Sequence, residues 1–162
     1  MLRKNLVRAT ATAAALFVTF TAFTDEPRPS TLVGTWVLNV SKSRFEGTPP
    51  LKSYTIRLAD AGAGKLHAEG RWVDGDGTET HVEFTAPLDG EVIPVSGNPN
   101  ADAVSLTAIN ANSIRESVLK GEKEVNWGRY TVSADGKTLH AVEEGKDETG
   151  AKYHYVEVFE RK

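Results

Sequence analysis

Cysteine is absent from this chain of 162 residues. Its absence excludes disulfide bonds, thiol catalysis and a lipid-modified cysteine at a processing site. The nucleophile motif Gly-x-Ser-x-Gly is also missing, and the four histidines form no closely spaced pair of the kind that zinc sites use. The sequence therefore predicts no metal ligand, no cofactor and no catalytic residue.

Clusters of basic residues are scarce as well. The chain has 19 Lys and Arg residues against 22 Asp and Glu residues, which gives a formal net charge of −3. Nucleic acids and anionic membrane surfaces attract proteins through concentrated positive charge. We therefore expect no nucleic-acid partner, and the composition leaves the oligomeric state open.

Long apolar runs are missing except near the N-terminus. Residues 1–24 begin with Arg3 and Lys4 and continue with the uncharged run ATATAAALFVTFTAFT. That order is typical of a secretory signal peptide, and the run is shorter than the roughly 20 apolar residues of a membrane span. We predict a signal peptide over residues 1–24, a linker over 25–32 and one domain over 33–162. The protein would then be periplasmic or secreted, with no stable membrane insertion after cleavage; an uncleaved anchor helix is the alternative.

Short segments with alternating apolar and polar residues fill the rest of the chain, and none shows sustained helical spacing. Turn-forming sequences such as DGDG (74–77) and KGEK (120–123) separate them. The predicted strands are Val33–Asn39, Tyr54–Ala59, Lys65–Val73, Thr78–Leu88, Glu91–Val95, Ala103–Ile109, Ser113–Leu119, Glu122–Val132, Thr138–Glu144 and Lys152–Glu160. Short connectors favour antiparallel neighbours, and closure removes exposed edges. We predict an all-β fold, a single antiparallel up-and-down barrel of about 8–10 strands; a flat sheet or sandwich is the alternative.

The third and fourth predicted strands, Lys65–Val73 and Thr78–Leu88, form a consistent hairpin. Trp72 lies on the mainly apolar face of one strand and Phe84 on that of the other. A three-residue loop would place Leu66 opposite Phe84 and leave the charged residues on the other face. Trp72 and Phe84 are therefore candidate wall residues of a barrel interior.

A charged pair is the most interesting polar feature of the sequence. If Glu116 points inward, a tight KGEK turn places it opposite Trp127, with Arg129 opposite Ile114 and diagonal to Glu116. A charged pair beside an indole would anchor the polar group of a ligand. If the same face points outward, the pair is a surface salt bridge, and the sequence leaves both interpretations open. Paired acidic residues such as those at 143–144 are interpreted as solvated surface.

The last predicted strand raises the same question. Tyr153, Tyr155, Glu157 and Phe159 share one face. If that face is inside, it supplies aromatic walls whose hydroxyl groups can form hydrogen bonds. The opposite face is equally mixed, so the alternation does not say which of the two points inward.

The motif GTW (34–36), the run of meandering strands and the closing VFERK (158–162) together resemble the calycin superfamily of lipocalins, fatty-acid-binding proteins and avidins. The stretches GTWVLNVSKSRF, VSGNPNADAVSL and SADGKTLHAVEEGKDETGAK resemble a group of exported bacterial lipocalin-like proteins. The resemblance implies that Trp36 packs at the closed end of the barrel, that Arg161 covers its ring, and that Gly34 lets the backbone bend there. Fatty-acid-binding proteins hold a carboxylate with an Arg-x-Tyr pair, where this chain has Glu157 and Phe159. A neutral or cationic apolar ligand therefore fits better if Glu157 points inward.

These observations favour an exported β-barrel that binds a small apolar ligand in its interior. The candidate ligand-binding residues are Trp72, Phe84, Glu116, Trp127, Arg129, Tyr153, Tyr155 and Glu157. One alternative is a structural or protein-interaction barrel filled by its own side chains. Another is a small barrel enzyme, such as an isomerase, that uses a pair like Glu116 and Arg129. An enclosed volume of a few hundred Å³ would distinguish a binding protein from a filled barrel.

Overall fold

The computed structural model describes residues 30–147 and 149–162. The predicted signal peptide and most of the linker lie outside these residues. Eleven strands and two short 3₁₀ turns make up the described part. The turns are Ser30–Leu32 and Val40–Lys42, and the strands are β1 Gly34–Leu38, β2 Arg44–Glu46, β3 Ser53–Gly62, β4 Lys65–Val73, β5 Glu79–Pro87, β6 Ile93–Pro94, β7 Ala103–Asn110, β8 Ser113–Lys120, β9 Lys123–Val132, β10 Thr138–Lys146 and β11 Lys152–Arg161. No helix in this part of the chain has the length and hydropathy needed to cross a membrane.

The strands form one antiparallel sheet in the order β5-β4-β3-β1-β11-β10-β9-β8-β7-β6. The sheet curls until the chain that follows β5 meets β7. There the Ala108 amide donates to the Leu88 carbonyl at 2.8 Å, and the Gly90 amide donates to the Leu106 carbonyl at 2.9 Å. The predicted fold class is therefore confirmed: the structure is a nearly closed antiparallel meander barrel of the lipocalin-like kind, and not a two-layer sandwich.

The seam between β5 and β7 is hydrogen-bonded only near one end of the barrel. Towards the other end, the connection between β6 and β7 lies against β5. A Cβ atom on Gly97 would lie 2.4 Å from the His81 carbonyl oxygen, so only glycine allows this close approach. The connection therefore covers the edge that β5 would otherwise present to solvent.

One short strand was not predicted. The segment 41–50 contains β2, which pairs with the first half of β11, while β1 pairs with its second half. Phe45 of β2 packs edge-on against Tyr155, with ring centroids 5.0 Å apart. The two short strands therefore act together as one interrupted neighbour of β11.

The inner face of the sheet carries the apolar residues of the period-two pattern. In β10, for example, Leu139 and Ala141 are fully buried, whereas His140 and Glu144 are exposed. Large side chains concentrate at one end, which we call the base: Leu32, Trp36, Val132, Leu139 and Phe159. The base is the compact part of the core, and the turn 74–78 and the connection 95–102 lie at the other end, the mouth.

Trp36 fills the base and has no exposed surface. Its indole nitrogen donates to the Leu32 carbonyl at 2.8 Å. The Arg161 guanidinium carbon lies 4.0 Å from the centroid of the Trp36 ring, a cation–π contact. Arg161 also donates to the carbonyl oxygens of Thr31, Val33 and Gly136 at 2.7, 2.7 and 2.6 Å. The guanidinium thus ties the N-terminal turn, the last strand and the turn after β9 together across the indole.

Gly34 completes this contact. Its φ of +147° lies in the region that favours glycine. A Cβ atom at this position would lie 2.3 Å from Arg161 Nη1. The sequence interpretation gave Gly34 the role of bending the backbone; the structure adds that its missing side chain leaves room for the guanidinium over Trp36.

Two predicted registers are wrong, and each error has a local cause. In the β4–β5 hairpin, Ala68 pairs with Phe84, and Trp72 pairs with Thr80. The register is shifted by two residues because the turn spans 74–78, where the Asp74 amide donates to the Thr78 carbonyl at 2.9 Å. An even shift keeps every side chain on its predicted face, so Trp72 and Phe84 still point inward.

The second error, in the β8–β9 hairpin, changes the face. Glu116 pairs with Gly128 rather than Trp127, because the register shifts by one residue near Val118. An extra residue in one strand moves all later side chains to the opposite face. Trp127 therefore points outward, where the Arg115 guanidinium lies 5.7 Å from its ring centroid, and Arg129 is exposed.

Candidate functional site

A cavity of about 500 Å³ lies inside the barrel, between the base and the mouth. Volumes of roughly 300–1,000 Å³ are usual for sites that hold small molecules. The interior is therefore not filled by the chain's own side chains. Residues from nearly every strand line it, among them Ile56, Leu58, Val82, Val104, Leu106 and Ile114 on the apolar side.

Aromatic side chains form one wall. Trp72 and Phe84 come from the neighbouring strands β4 and β5. Tyr54 of β3 packs edge-on against Trp72, with ring centroids 5.6 Å apart. The wall offers a ligand large, rigid apolar surfaces.

A polar centre lies across the cavity from this wall. Glu116 of β8 and Glu143 of β10 are both paired in register with Gly128 of β9, so they lie at the same level of the barrel. The Tyr130 hydroxyl lies between them; it hydrogen-bonds to Glu143 and is 3.1 Å from Glu116 Oε2. A Cβ atom on Gly128 would lie 2.9 Å from the Tyr130 ring, so the glycine makes room for the phenol. Glu116, Glu143 and Tyr130 together form one hydrogen-bonded network, which we call the polar centre.

Burial changes the acidity of this centre. It raises the pKa of Glu116 to about 7, with a further contribution from the charge of Glu143. Burial likewise raises the pKa of Glu143, although hydrogen bonds from Tyr130 and Asn126 oppose the shift. The same burial raises the pKa of Tyr130 well above its usual value. Near neutral pH Glu116 is therefore poised to gain or lose a proton, and the charged form of Glu143 is disfavoured.

A third carboxyl group lies beside this centre. Glu157 points inward from β11, between Tyr155 and Phe159, and has no exposed surface. Neither of its carboxylate oxygens has a hydrogen-bond partner. Burial, helped by the charge of Glu143, raises the pKa of Glu157 to about 9. The group is therefore protonated and neutral at pH 7, yet unpaired, which is unusual for a buried polar side chain.

Two tyrosines of β11 lead from the polar centre to the mouth. The rings of Tyr153 and Tyr155 are stacked with centroids 4.7 Å apart. The Asn126 amide donates to the Tyr153 hydroxyl, and the Tyr155 hydroxyl bonds to Thr48. The inward face of the last strand is thus the one that carries the tyrosines, which the sequence had left open.

The structure brings five of the eight candidate ligand-binding residues to the cavity wall. These are Trp72, Phe84, Glu116, Tyr153 and Tyr155. Glu157 is inside the barrel but lies behind the wall. Trp127 and Arg129 are outside it, so the charged pair of Glu116 and Arg129, on which the isomerase alternative depended, does not form. That any of these residues binds a ligand stays a prediction.

Tyr54, Tyr130 and Glu143 also belong to the site and were not predicted. Their sequence signal is the period of two: Tyr130 shares a face with buried Val132, and Glu143 shares a face with buried Ala141. The pair at 143–144 was interpreted as solvated surface, whereas only Glu144 is exposed. The alternation of inward and outward residues within each strand predicts the orientation of these side chains better than the local charge does.

No family model matches the chain, and no curated protein is significantly similar to it in sequence. Several solved structures are similar in shape. Rv2717c from M. tuberculosis aligns over 82% of this chain and 94% of its own, with 15% identity and a TM-score of 0.49. Zebrafish ileal bile acid-binding protein complexed with cholic acid aligns over 82% and 100%, with 8% identity and a TM-score of 0.46.

A redesigned β-barrel bound to the fluorophore DFHBI gives similar values. It aligns over 84% of this chain and 100% of its own, with 10% identity and a TM-score of 0.45. Similarities this distant concern the course of the chain and not its chemistry. The strand order and the indole-filled base of the chain itself give it a calycin-like barrel fold, as the sequence predicted.

Proposed function

We propose that the protein binds a small, largely apolar molecule inside its barrel. The observation that carries the proposal is the cavity of about 500 Å³, which has an aromatic wall on one side and a polar centre on the other. Binding sites for small molecules combine these features: apolar surface supplies most of the affinity, and a few polar groups fix the orientation. A barrel with a purely structural role would gain stability by filling that space with side chains.

The proposal includes export. The basic start and short apolar run of residues 1–24 support it, and the binding would then take place in the periplasm or outside the cell. Intact-mass measurement of the protein recovered from its own cells tests this point. The expected mass lacks residues 1–24, and a full-length mass in the cytoplasmic fraction would contradict export.

A fluorescence titration tests binding. The probe is N-phenylnaphthylamine, a neutral apolar molecule that brightens when it leaves water. We expect saturable binding with one site per chain. The variant Thr80→Trp adds a large side chain on the inner face of β5, at a residue that lines the cavity, and we expect it to weaken binding at least tenfold.

The matched control is Thr85→Trp. Thr85 lies on the same strand, is exposed and points outward. The same side chain added there leaves binding unchanged if the probe occupies the interior. Equal binding by both variants, or no saturable binding by the wild type, would contradict the proposal.

A further inference from the structure

The cavity contains carboxyl groups but almost no positive charge. Glu116 and Glu143 line it, and Glu157 lies near Glu143, behind the wall. Among the described residues that line the cavity, the one basic side chain is Lys146, which is exposed at the mouth. Arg115 of β8 points outward and pairs with Glu124 and Trp127, and Arg129 of β9 is exposed.

A purely structural role does not account for this arrangement. Buried polar groups in stable cores are hydrogen-bonded, because an unpaired group loses its solvation without compensation. Tyr130 contacts both Glu116 and Glu143 with a single hydroxyl proton, and Asn126 is the further hydrogen-bond partner of Glu143. Glu157 is fully buried, and both of its oxygens lack a partner. The described part of the interior therefore holds three carboxyl groups with few hydrogen-bond donors among them and no basic side chain beside them.

We propose that the ligand is an organic cation, a protonated amine on an apolar or aromatic body. The inference rests on the proposed function and names its ligand class. The ammonium group would lie on the cavity side of Glu116 and Glu143, beside the Tyr130 hydroxyl, and the body would pack against Trp72 and Phe84. An ammonium group offers three donors and a compensating charge to the two carboxyl groups that line the cavity, and the tyrosine rings around the centre add cation–π attraction.

An organic cation fits better than a metal ion. In the part of the chain that the structure describes, no group of three or more His, Cys, Asp or Glu residues is arranged so that it could hold a metal. The wall opposite the carboxyl groups is aromatic and apolar, which suits a carbon skeleton rather than the water shell of a small ion.

Protonation gives the inference a second readout. Burial raises the pKa of Glu116 to about 7 and that of Glu157 to about 9, so the empty site holds protons near neutral pH. A bound cation favours the charged carboxylates and expels those protons. The other titratable groups that face the polar centre are Tyr54, Tyr130, Tyr153 and Tyr155 around it, and Asp74, Asp76, Lys146 and Asp147 at the mouth. The tyrosine pKa values are raised, so those hydroxyls stay neutral and the glutamates release the protons.

Calorimetry with three matched probes tests the inference. Naphthylmethylamine, naphthylmethanol and naphthoate share one aromatic body and are cationic, neutral and anionic at pH 7.5. We expect the amine to bind at least tenfold more tightly than the alcohol, and naphthoate to bind most weakly. Measured in phosphate and in Tris, binding of the amine should release protons to the buffer, whereas binding of the alcohol should not.

Two adjacent glutamates provide the matched variants. Glu143→Gln removes a carboxyl group from the cavity, while Glu144→Gln removes one from the outer face, where Glu144 pairs with His154 at 3.3 Å. We expect Glu143→Gln to lower the preference for the amine over the alcohol at least fivefold. Glu144→Gln should leave that preference unchanged.

The outcomes separate the two proposals. Equal affinity for the amine and the alcohol would overturn the organic-cation inference while small-molecule binding stands. If none of the three probes binds and N-phenylnaphthylamine does not bind either, both proposals fail. A preference for the amine that Glu143→Gln and Glu144→Gln leave intact would also overturn the inference, because the cation would then be held elsewhere.

Discussion

The base and the polar centre lie a few residues apart in the same barrel, yet they differ in how their buried polar groups are paired. At the base, the Trp36 nitrogen has a carbonyl partner and Arg161 satisfies three further carbonyls. Beside the polar centre, Glu157 is equally buried and has no partner for either oxygen. Trp36 and Glu157 are both excluded from solvent, but only at the base is the buried polar group paired.

The difference shows which region stabilises the fold. Apolar burial together with fully paired polar groups lowers the free energy of the folded state. Three carboxyl groups in an apolar interior raise it, because each must be desolvated and because the charge of Glu143 repels both Glu116 and Glu157 when they are charged. A costly arrangement of this kind is typical of sites where function takes precedence over stability.

The largest expected effect is at the base. Trp36→Ala should lower the free energy of unfolding by about 3–5 kcal/mol, since it leaves a cavity and removes the partner of the Arg161 guanidinium. Urea denaturation followed by circular dichroism measures this. The matched control is Trp127→Ala, on the outer face. Equal losses of unfolding free energy in the two variants would show that the base stabilises the fold no more than the surface does.

The second effect is the pH dependence of stability at the polar centre. The folded pKa of Glu157, about 9, lies above its ordinary value of 4.5, so the folded state binds its proton more tightly than the unfolded state. The contribution of Glu157 to stability is then complete below about pH 5 and is lost as the pH rises towards 9, at up to about 1.4 kcal/mol per pH unit. Glu116 adds to the decline below pH 7.

The variant Glu157→Gln mimics the protonated group at every pH. We expect it to match the wild type near pH 5 and to be more stable than the wild type at pH 8. Glu160→Gln is the control on the same strand: Glu160 is exposed and pairs with Lys42 at 2.8 Å. Denaturation curves from pH 5 to 8 measure both slopes. A wild-type curve as flat as that of Glu157→Gln would show that Glu157 is charged in the folded protein.

The smallest effect is expected at the surface cluster around Trp127. Arg115→Ala removes the contact with Trp127 and an ion pair with Glu124 at 2.9 Å. Because these side chains are partly exposed and screened, the loss should be about 0–1 kcal/mol. Urea denaturation in low and high salt measures it. A loss above about 2 kcal/mol would mean that this cluster belongs to the core.

The fold was readable from the sequence because period-two alternation and turn residues act locally. Trp72 and Phe84 kept their predicted face although the register between them was wrong by two residues, since an even shift preserves the face. The base was anticipated by resemblance, from the positions of Trp36 and Arg161 in the first and last strands.

The polar centre was less predictable, because it depends on one inserted residue. The register shift near Val118 moves Trp127 and Arg129 outward and brings Tyr130 inward. The KGEK turn sequence does not predict that register shift. The role of Glu143 was hidden for another reason: adjacent acidic residues look alike in sequence, although the pleat of the strand sends one into the barrel and the other into water.

Gly97 has a consequence for behaviour in a concentrated solution. Sheets with exposed edge strands pair with strands of other molecules and can grow into aggregates. The chain around Gly97 approaches the His81 carbonyl more closely than any side chain would permit. It thereby covers the part of the β5 edge that forms no hydrogen bonds with β7. A side chain at residue 97 would push this connection away from β5. The edge of β5 would then be exposed and could pair with a strand of another molecule.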